Sequence, residues 1–365
     1  MLEHGGRFQY ILYKLNGGEL VASIKDIAVL AGVSRGTVDR ALNNREGVNR
    51  EVAERIRRIA ADKGYKTNRA ALGLAARKRP FRIGAIFPVE GNMFFEEVID
   101  GVHAAEETLS DNGVSVLIKT MKGYSVEGQL ALIDKLCEEG IQALVIVAAN
   151  EHPIAQRLNE LVDQGIPVVA CNTDIEGTHR LCYVGTDYLK NGRIAAGLMA
   201  LVADGKIYRT VILTGSIHVL GHNQRISGFH DAVTQYHPNI RILDVFETLD
   251  DVDQAYGITL DMLHKYKNID AIYMTAGGIG GACRALTETG NVGKIKLFTH
   301  DCTSETKPLL ESGIISATIC QDPFQQGYMP VMLLFDYFLD KQTPAADLIY
   351  TKIDILIRES VNDNR

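Results

Sequence analysis

The chain lacks any run of apolar residues approaching the roughly 20 that a membrane-spanning helix requires. Its first residues also lack the basic start, apolar core and small-residue cleavage site of a secretory leader. Both absences argue against an anchored or exported protein and lead to the expectation of a cytoplasmic one. Cysteine is sparse: the six, Cys137, Cys171, Cys182, Cys283, Cys302 and Cys320, form no C-x-x-C pair. A disulfide framework therefore has no support, and buried free thiols are expected. Catalytic signatures are missing as well. There is no G-x-S-x-G, no P-loop with its lysine, and no G-x-G-x-x-G opening the first helix of the α/β part. His218 and His222 have the i, i+4 spacing of a metal pair, but Gly221 lies between them and the HExxH glutamate is absent, which leaves a surface pair. No acid/base pair suited to a sugar-modifying enzyme is present. The expectation is a protein that is not an enzyme, with no catalytic residues, metal or cofactor.

What is present is unevenly distributed. Residues 1–80 carry 16 Lys and Arg against 8 Asp and Glu, whereas residues 81–365 carry 22 against 37. A basic head attracts a polyanion whatever its sequence, and an acidic body stays away from it. Within the head, residues 24–43 read IKDIAVLAGVSRGTVDRALN. Ile27, Ala28 and Ala31 share one helical face, and Val33, Val38, Ala41 and Leu42 supply a matching one. Gly32 permits a tight turn and Ser34 caps the second helix. Ser23 with Asp26 three residues on forms a capping-box signature for the first. Two short amphipathic helices joined in this way read as a helix-turn-helix, whose second helix enters the major groove of duplex DNA by its N-terminal part. Arg35, Gly36, Thr37, Asp39 and Arg40 are left exposed to face bases. A third helix is expected after Asn49, stacking Val52, Ala53, Ile56, Ile59 and Ala60 until Gly64-Tyr65 ends it.

The run Asp26-Ile27-Ala28, Ala31-Gly32-Val33-Ser34, Thr37-Val38, Arg40 and Leu42-Asn43 resembles the N-terminus of the lactose-repressor/galactose-repressor (LacI/GalR) family, D-[IV]-A-x-x-A-G-V-S-x-x-T-V-x-R-x-L-N. One position departs from it. The family usually has serine before the arginine; here Asp39 is repelled by phosphate, yet can accept from a cytosine amino group or pair with a neighbouring Arg. The resemblance implies a hinge at 68–80 that turns helical when two copies pair on DNA and wedges a leucine into the minor groove. Asn68, Ala71 and Leu74 match it, although so short a segment is not a stable helix alone and a plain linker is the alternative. The expected DNA-binding set is Ser34, Arg35, Gly36, Thr37, Arg40, Asn49, Asn68, Ala71 and Leu74. Residues 1–20 fit nothing downstream, because the family's frame opens near Val21-Ala22-Ser23. They are expected to be a disordered arm or a start-site overcall, with the head domain at 21–67.

From residue 81, strand-like runs at 82–87, 114–119, 143–147, 168–171, 210–214, 241–246, 271–275, 296–299 and 315–320 alternate with amphipathic helices. Continuous apolar strands separated by helices predict parallel sheets buried on both faces, hence a doubly wound α/β architecture with ligands beyond the carboxyl ends of the strands. The expected fold is thus an N-terminal all-α helix-turn-helix domain followed by a two-lobed α/β domain at 81–365. That body resembles the type-1 periplasmic-binding-protein fold, the effector domain of the same regulator family. The resemblance implies two lobes joined by three crossings, placed near Gly185, Asp301-Cys302 and Asp322-Pro323. Lobe 1 would then hold about 81–185 and 302–322, and lobe 2 about 186–301 and 323–356.

At the strand ends stand Asn92, Phe94 and Phe95, then Asn172, Thr173 and Asp174, then Arg225, Asp301 and Gln321. These positions match those where sugar-binding members of the fold place aromatic rings and polar side chains. A sugar offers an apolar face for stacking and a rim of hydroxyls that donate and accept, so convergent Asp, Asn, Gln and Arg suit it. The expected ligand set is Asn92, Phe94, Phe95, Asn172, Asp174, Arg225, Asp301 and Gln321, with helix packing the alternative for the two rings and interlobe bonding the alternative for the polar groups. Sugar binders commonly have an Asn-Asp pair where this chain has Ala276-Gly277-Gly278-Ile279-Gly280-Gly281. Exposed backbone N–H groups there would favour a phosphorylated or acidic ligand, and a close-packing turn is the alternative. Together these features predict a homodimeric transcription regulator, a repressor, binding double-stranded operator DNA under control of a sugar or sugar derivative. A periplasmic-type solute receptor and a co-repressor-dependent regulator with a non-sugar ligand are the competing readings.

Overall fold

A computed structural model describes residues 23–42, 47–63, 80–88, 92–123, 125–217 and 219–361. These form two compact units, one ending at Lys63 and one beginning at Pro80. Gly64 and Tyr65, Asn68, Ala71, Leu74, His218 and the whole of 1–20 lie outside the described residues.

The first unit contains three helices, α1 (Ile24–Ala31), α2 (Arg35–Leu42) and α3 (Arg50–Asp62). Ser23 accepts from the N–H of Asp26 while the Asp26 carboxylate accepts from the N–H of Ser23, so the capping box is complete. Gly32 ends α1 at φ 64°, in the left-handed region where a Cβ is disfavoured, which turns the chain into α2. Ile27, Ala28, Ala31, Val38, Ala41, Ala53, Ile56 and Ala60 meet in one core, with Val33, Leu42 and Val52 at its margin. So small a core, built largely of alanine, depends on close helix approach, and Arg55 assists by donating to the carbonyl of Ala31 at the end of α1, 2.9 Å away.

The second unit carries two six-stranded sheets. The first is built from β1 (Phe81–Phe87), β2 (Val114–Thr120), β3 (Ala143–Ile146), β4 (Val168–Cys171) and β5 (Cys182–Gly185), with α4 (Phe94–Leu109), α5 (Val126–Glu138) and α6 (His152–Asp163) between them. The second is built from β6 (Tyr208–Thr214), β7 (Ile240–Glu247), β8 (Ala271–Met274), β9 (Lys296–His300) and β10 (Ala317–Cys320). Its helices are α7 (Tyr188–Ala203), α8 (Leu220–Tyr236), α9 (Val252–Lys265), α10 (Ile279–Glu288) and α11 (Thr306–Glu311). The chain then returns through α12 (Pro323–Asp340) and β11 (Leu348–Tyr350) to the first sheet, and ends with β12 (Asp354–Leu356) on the second and α13 (Arg358–Val361). Strand order is β11-β5-β4-β3-β1-β2 in one sheet and β12-β10-β9-β8-β6-β7 in the other, parallel except that β12 runs antiparallel to β10.

These pairings correct the lobe boundaries expected from the sequence. β9 and β10 are adjacent parallel strands of one sheet, joined through α11, so Asp301-Cys302 is not a crossing. The three crossings fall at 186–187, 321–322 and 351–353. Lobe 1 therefore comprises 80–185 and 323–350, and lobe 2 comprises 188–320 and 354–361. Helix α12, expected in lobe 2, packs Val331, Leu334 and Phe335 into the lobe 1 core. The strands β5, β11 and β12, four residues or fewer each, were not among the expected runs.

The lobes solve the same packing problem alike. In lobe 1, α4 and α12 cross so closely that a Cβ on Gly101 would sit 2.0 Å from the Phe324 carbonyl oxygen, and one on Gly327 would sit 1.8 Å from that of Val98. In lobe 2, α7 and α8 cross in the same reciprocal way, Gly192 against Arg225 and Gly228 against Leu189, each at 2.0 Å. All six cysteines are free; Cys171, Cys182 and Cys283 are buried, while Cys137, Cys302 and Cys320 are only half-buried.

Candidate nucleic-acid interface and interlobe site

In the head, Ser34 and Asn49 serve the helices themselves. The Ser34 hydroxyl accepts from the Thr37 N–H at 3.1 Å and lies 2.9 Å from the Thr37 hydroxyl. The Asn49 side-chain Oδ1 accepts from the Glu51 N–H at 2.9 Å and so caps α3. Arg35, Gly36 and Arg40 are exposed along α2, whereas Thr37 and Asp39 are half-buried. The surface that α2 offers a groove is therefore two cations flanking a residue with no side chain, which allows close backbone approach.

The strand ends of the body fall into two groups. Asn92 turns its side chain onto the start of α4, accepting from the Phe94 N–H at 3.1 Å. Phe94 and Phe95 are buried in the lobe 1 core, edge to face at 5.2 Å, with Phe95 also 6.4 Å from Phe87. Asp174 is held by Arg180 through two contacts of 2.6 Å, and Arg180 reaches Asp347 at 2.8 Å. These four residues form no common polar cluster with the remaining four.

Asn172, Arg225, Asp301 and Gln321 belong to a different arrangement. The Gln321 amide donates to both Asp301 oxygens, at 3.1 and 3.0 Å. Asn172, at φ 60°, donates to the Gln326 side chain at 3.0 Å. Arg225 is 3% exposed, lies 4.9 Å over the Tyr188 ring and donates from Nη1 to the Thr275 carbonyl, while its Nε and Nη2 have no partner among the described residues. Burial raises the Asp301 carboxyl from 3.8 to about 6, with the Arg225 charge and the Gln321 bond opposing the rise. Across the lobes, Glu97 on α4 is raised by burial and then by the Asp301 charge. His300, bonded to the Tyr273 hydroxyl at 2.9 Å, is pushed well below its ordinary value by burial and by Arg225, so it stands neutral.

A cavity of 110 Å³ opens between the lobes beside Asp174, walled by Tyr183 and Tyr350 on one side and Tyr188 and Gln224 on the other. A wider recess of 590 Å³ runs along α6, and neither cavity is lined by Asn172, Arg225, Asp301 or Gln321.

The glycine turn at 276–281 is a packing device. The Gly277 N–H donates to Asp250 at 2.7 Å, and a Cβ on Gly281 would lie 1.9 Å from the Val252 carbonyl oxygen, where α9 and α10 touch. The Gly277 amide is thus already bonded to a carboxylate within the protein. His222, half-buried, accepts from the Ser216 N–H through Nδ1 at 3.2 Å. Sequence reasoning missed Gln326, Tyr188 and Thr351, which touch Asn172, Arg225 and Gln321 from distant parts of the chain, and also Arg180, which grips Asp174 from only six residues away.

Residues 83–342 match the periplasmic binding protein domain family, and residues 23–68 match the lacI family of bacterial regulatory proteins. The chain is 25% identical to the HTH-type transcriptional regulator IdnR of Escherichia coli (strain K12), over 58% of this chain and 60% of IdnR, less than two thirds of that protein. It is 22% identical to catabolite control protein A of Priestia megaterium, over 93% of this chain and 98% of that one. Its fold is similar to that of GanP, a glucose-galactose binding protein from Geobacillus stearothermophilus, at TM-score 0.71 and 24% identity, over 78% of this chain and 99% of GanP. Over most of its length the chain belongs to the periplasmic binding protein domain family, and it carries the head domain of the lacI family of bacterial regulatory proteins: it is a DNA-binding regulator controlled by an effector. Among the described residues no helix is long and apolar enough to cross a membrane.

Proposed function

We propose that the protein is a homodimeric, cytoplasmic repressor whose operator affinity is set by a sugar or sugar derivative held between the lobes. The observation that supports this most is Arg225, a buried guanidinium with two unpartnered nitrogens, beside the Asp301–Gln321 pair and in one chain with a helix-turn-helix. Unpartnered donors next to a paired acid and amide match the mixed donor and acceptor rim of a polyol. Arg225, Asp301, Gln321 and Asn172 are the proposed effector contacts; Asn92, Phe94, Phe95 and Asp174 shape the lobe 1 wall. In the head, Arg35, Gly36 and Arg40 read bases, with Ser34, Thr37 and Asn49 holding helix ends near phosphate. The proposal extends to Asn68, Ala71 and Leu74 as the minor-groove hinge. Pseudo-palindromic operators mirror a two-fold protein, so two heads would occupy two half-sites.

Coupling between sites is reciprocal, which supplies the test. Gel shifts with DNA flanking the gene are run with and without a panel of neutral sugars, polyols and their acidic forms. Release by a neutral member, with operator weakening that sugar by the same factor, is the expected result. A protein that shifts no flanking DNA, or whose shift no member of the panel changes, overturns the reading. Acidic members acting alone would return the ligand to the anionic class.

A further inference from the structure

The three crossings between the lobes are tied together at a single hydroxyl. The Thr351 Oγ1, in the third crossing, lies 2.7 Å from the Gln321 carbonyl in the second and 3.1 Å from the Gly185 carbonyl beside the first. The Thr351 N–H donates to the same Gly185 oxygen at 2.7 Å. Thr351 is 7% exposed. A hydroxyl has one proton, so it donates to one of these two carbonyls at a time. The two acceptors belong to different crossings, which gives the hinge two hydrogen-bonded arrangements that differ by the rotation of one O–H bond.

Gln326 links this hydroxyl to the candidate effector contacts. It lies on the first turns of α12 with no exposure. Its Nε2 donates to the Gln321 carbonyl at 2.9 Å and lies 3.4 Å from the Gln321 side-chain oxygen and 3.5 Å from Thr351 Oγ1. A carbonyl only accepts, so this end of the amide must be the nitrogen. The other end is then the oxygen, which receives the Asn172 amide. The Gln326 backbone carbonyl also receives the Cys171 thiol at 2.9 Å. A continuous path therefore runs from Asp301 through Gln321 and Gln326 to Asn172, with Thr351 branching from its middle. Any ligand group that competes for Asn172, Gln321 or Asp301 disturbs a bond in this path, and Gln326 is enclosed, out of contact with bulk solvent.

We propose that Gln326 and Thr351 are the positioning residues that lock the interlobe angle and transmit occupancy of the cleft to the crossings. The lock rests on the reading of a cleft that opens and closes, but it can be tested without operator or effector. Hydrogen exchange with mass spectrometry on the full chain compares wild type, Thr351→Val, which keeps shape and removes the hydroxyl, and Thr351→Ser, which restores it. The expected result for Thr351→Val is exchange roughly tenfold faster at 185–187, 321–326 and 351–353, with the strands of both lobes unchanged and Thr351→Ser close to wild type. Exchange like that of wild type at the crossings overturns the lock. So does acceleration of the lobe strands to the same degree, which marks a merely structural residue. If Thr351→Val does not fold, Gln326→Met decides: it removes the amide's contacts, and 321–326 must lose protection while the β4 and β8 strands keep theirs. Unchanged protection at 321–326 overturns the proposal. Neither failure affects the operator and sugar tests, which stand on their own.

Discussion

The two lobes share a strand order and a reciprocal glycine crossing of helices, yet they treat the polar groups at their strand ends in opposite ways. In lobe 1 these groups are satisfied from within: Asn92 caps α4, Asn172 bonds Gln326, and Asp174 is gripped by Arg180. In lobe 2, Asn191, Arg225, Thr299 and His300 hold all the buried side-chain nitrogens and oxygens that lack a partner among the described residues. A buried polar atom without a partner costs about 1–3 kcal/mol. The difference teaches that the strand-end groups named in lobe 1 are paired within the protein, whereas lobe 2 keeps buried bonding capacity unpaired among the described residues.

The shared architecture is the part to break first. Gly327→Ala places a methyl 1.8 Å from the Val98 carbonyl oxygen, and Gly192→Ala places one 2.0 Å from that of Arg225. Backbone cannot yield as a side-chain tip can, so each should destabilise by about 3 kcal/mol or more, read as a lower urea midpoint. Similar losses would show the crossings to be equivalent; a tolerated alanine in one lobe would end that equivalence.

The next effect belongs to lobe 2. Asp301 binds its proton more tightly folded, at about 6, than at the ordinary 3.8. The native state therefore holds more protons between these values, and stability falls as pH rises from about 4 to 6 before levelling. Asp301→Asn should remove a fall on the order of 2 kcal/mol across that window in urea titrations. An undiminished fall in the variant would assign it to another group.

The smallest effect sharpens the contrast most directly. Arg225→Met removes a buried charge with two unpartnered nitrogens and should raise stability by about 1–2 kcal/mol, read as a higher thermal midpoint. Asn172→Ala removes a satisfied bond and should lower stability by a similar amount. If both variants lose stability alike, the guanidinium is already content without a ligand and the lobes do not differ as described.

How much could be seen beforehand depended on how local each feature was. The capping box at Ser23 and Asp26, the turn at Gly32 and the apolar faces of α1 and α2 involve neighbours three or four residues apart, and all were legible. So were the long buried strands, because a strand covered on both faces must be continuously apolar. The lobe boundaries were not, since β9 and β10 look the same in sequence whether they share a sheet or not. Phe94 and Phe95 show the same limit. Their positions at a strand end suit stacking on a sugar, but the fold encloses both rings against Phe87 and its neighbours.

By itself, then, the amino-acid order determined a basic helix-turn-helix head, an acidic α/β body and the set of polar residues at the strand ends, because periodicity, caps and charge act over short distances. Tertiary structure alone decided which of those residues meet. Gln321 finds Asp301 across two strands, Asn172 finds Gln326 over 154 residues, and Thr351 reaches Gly185 over 166. Such contacts follow from how the sheets and crossings bring distant segments together, and no local pattern records them.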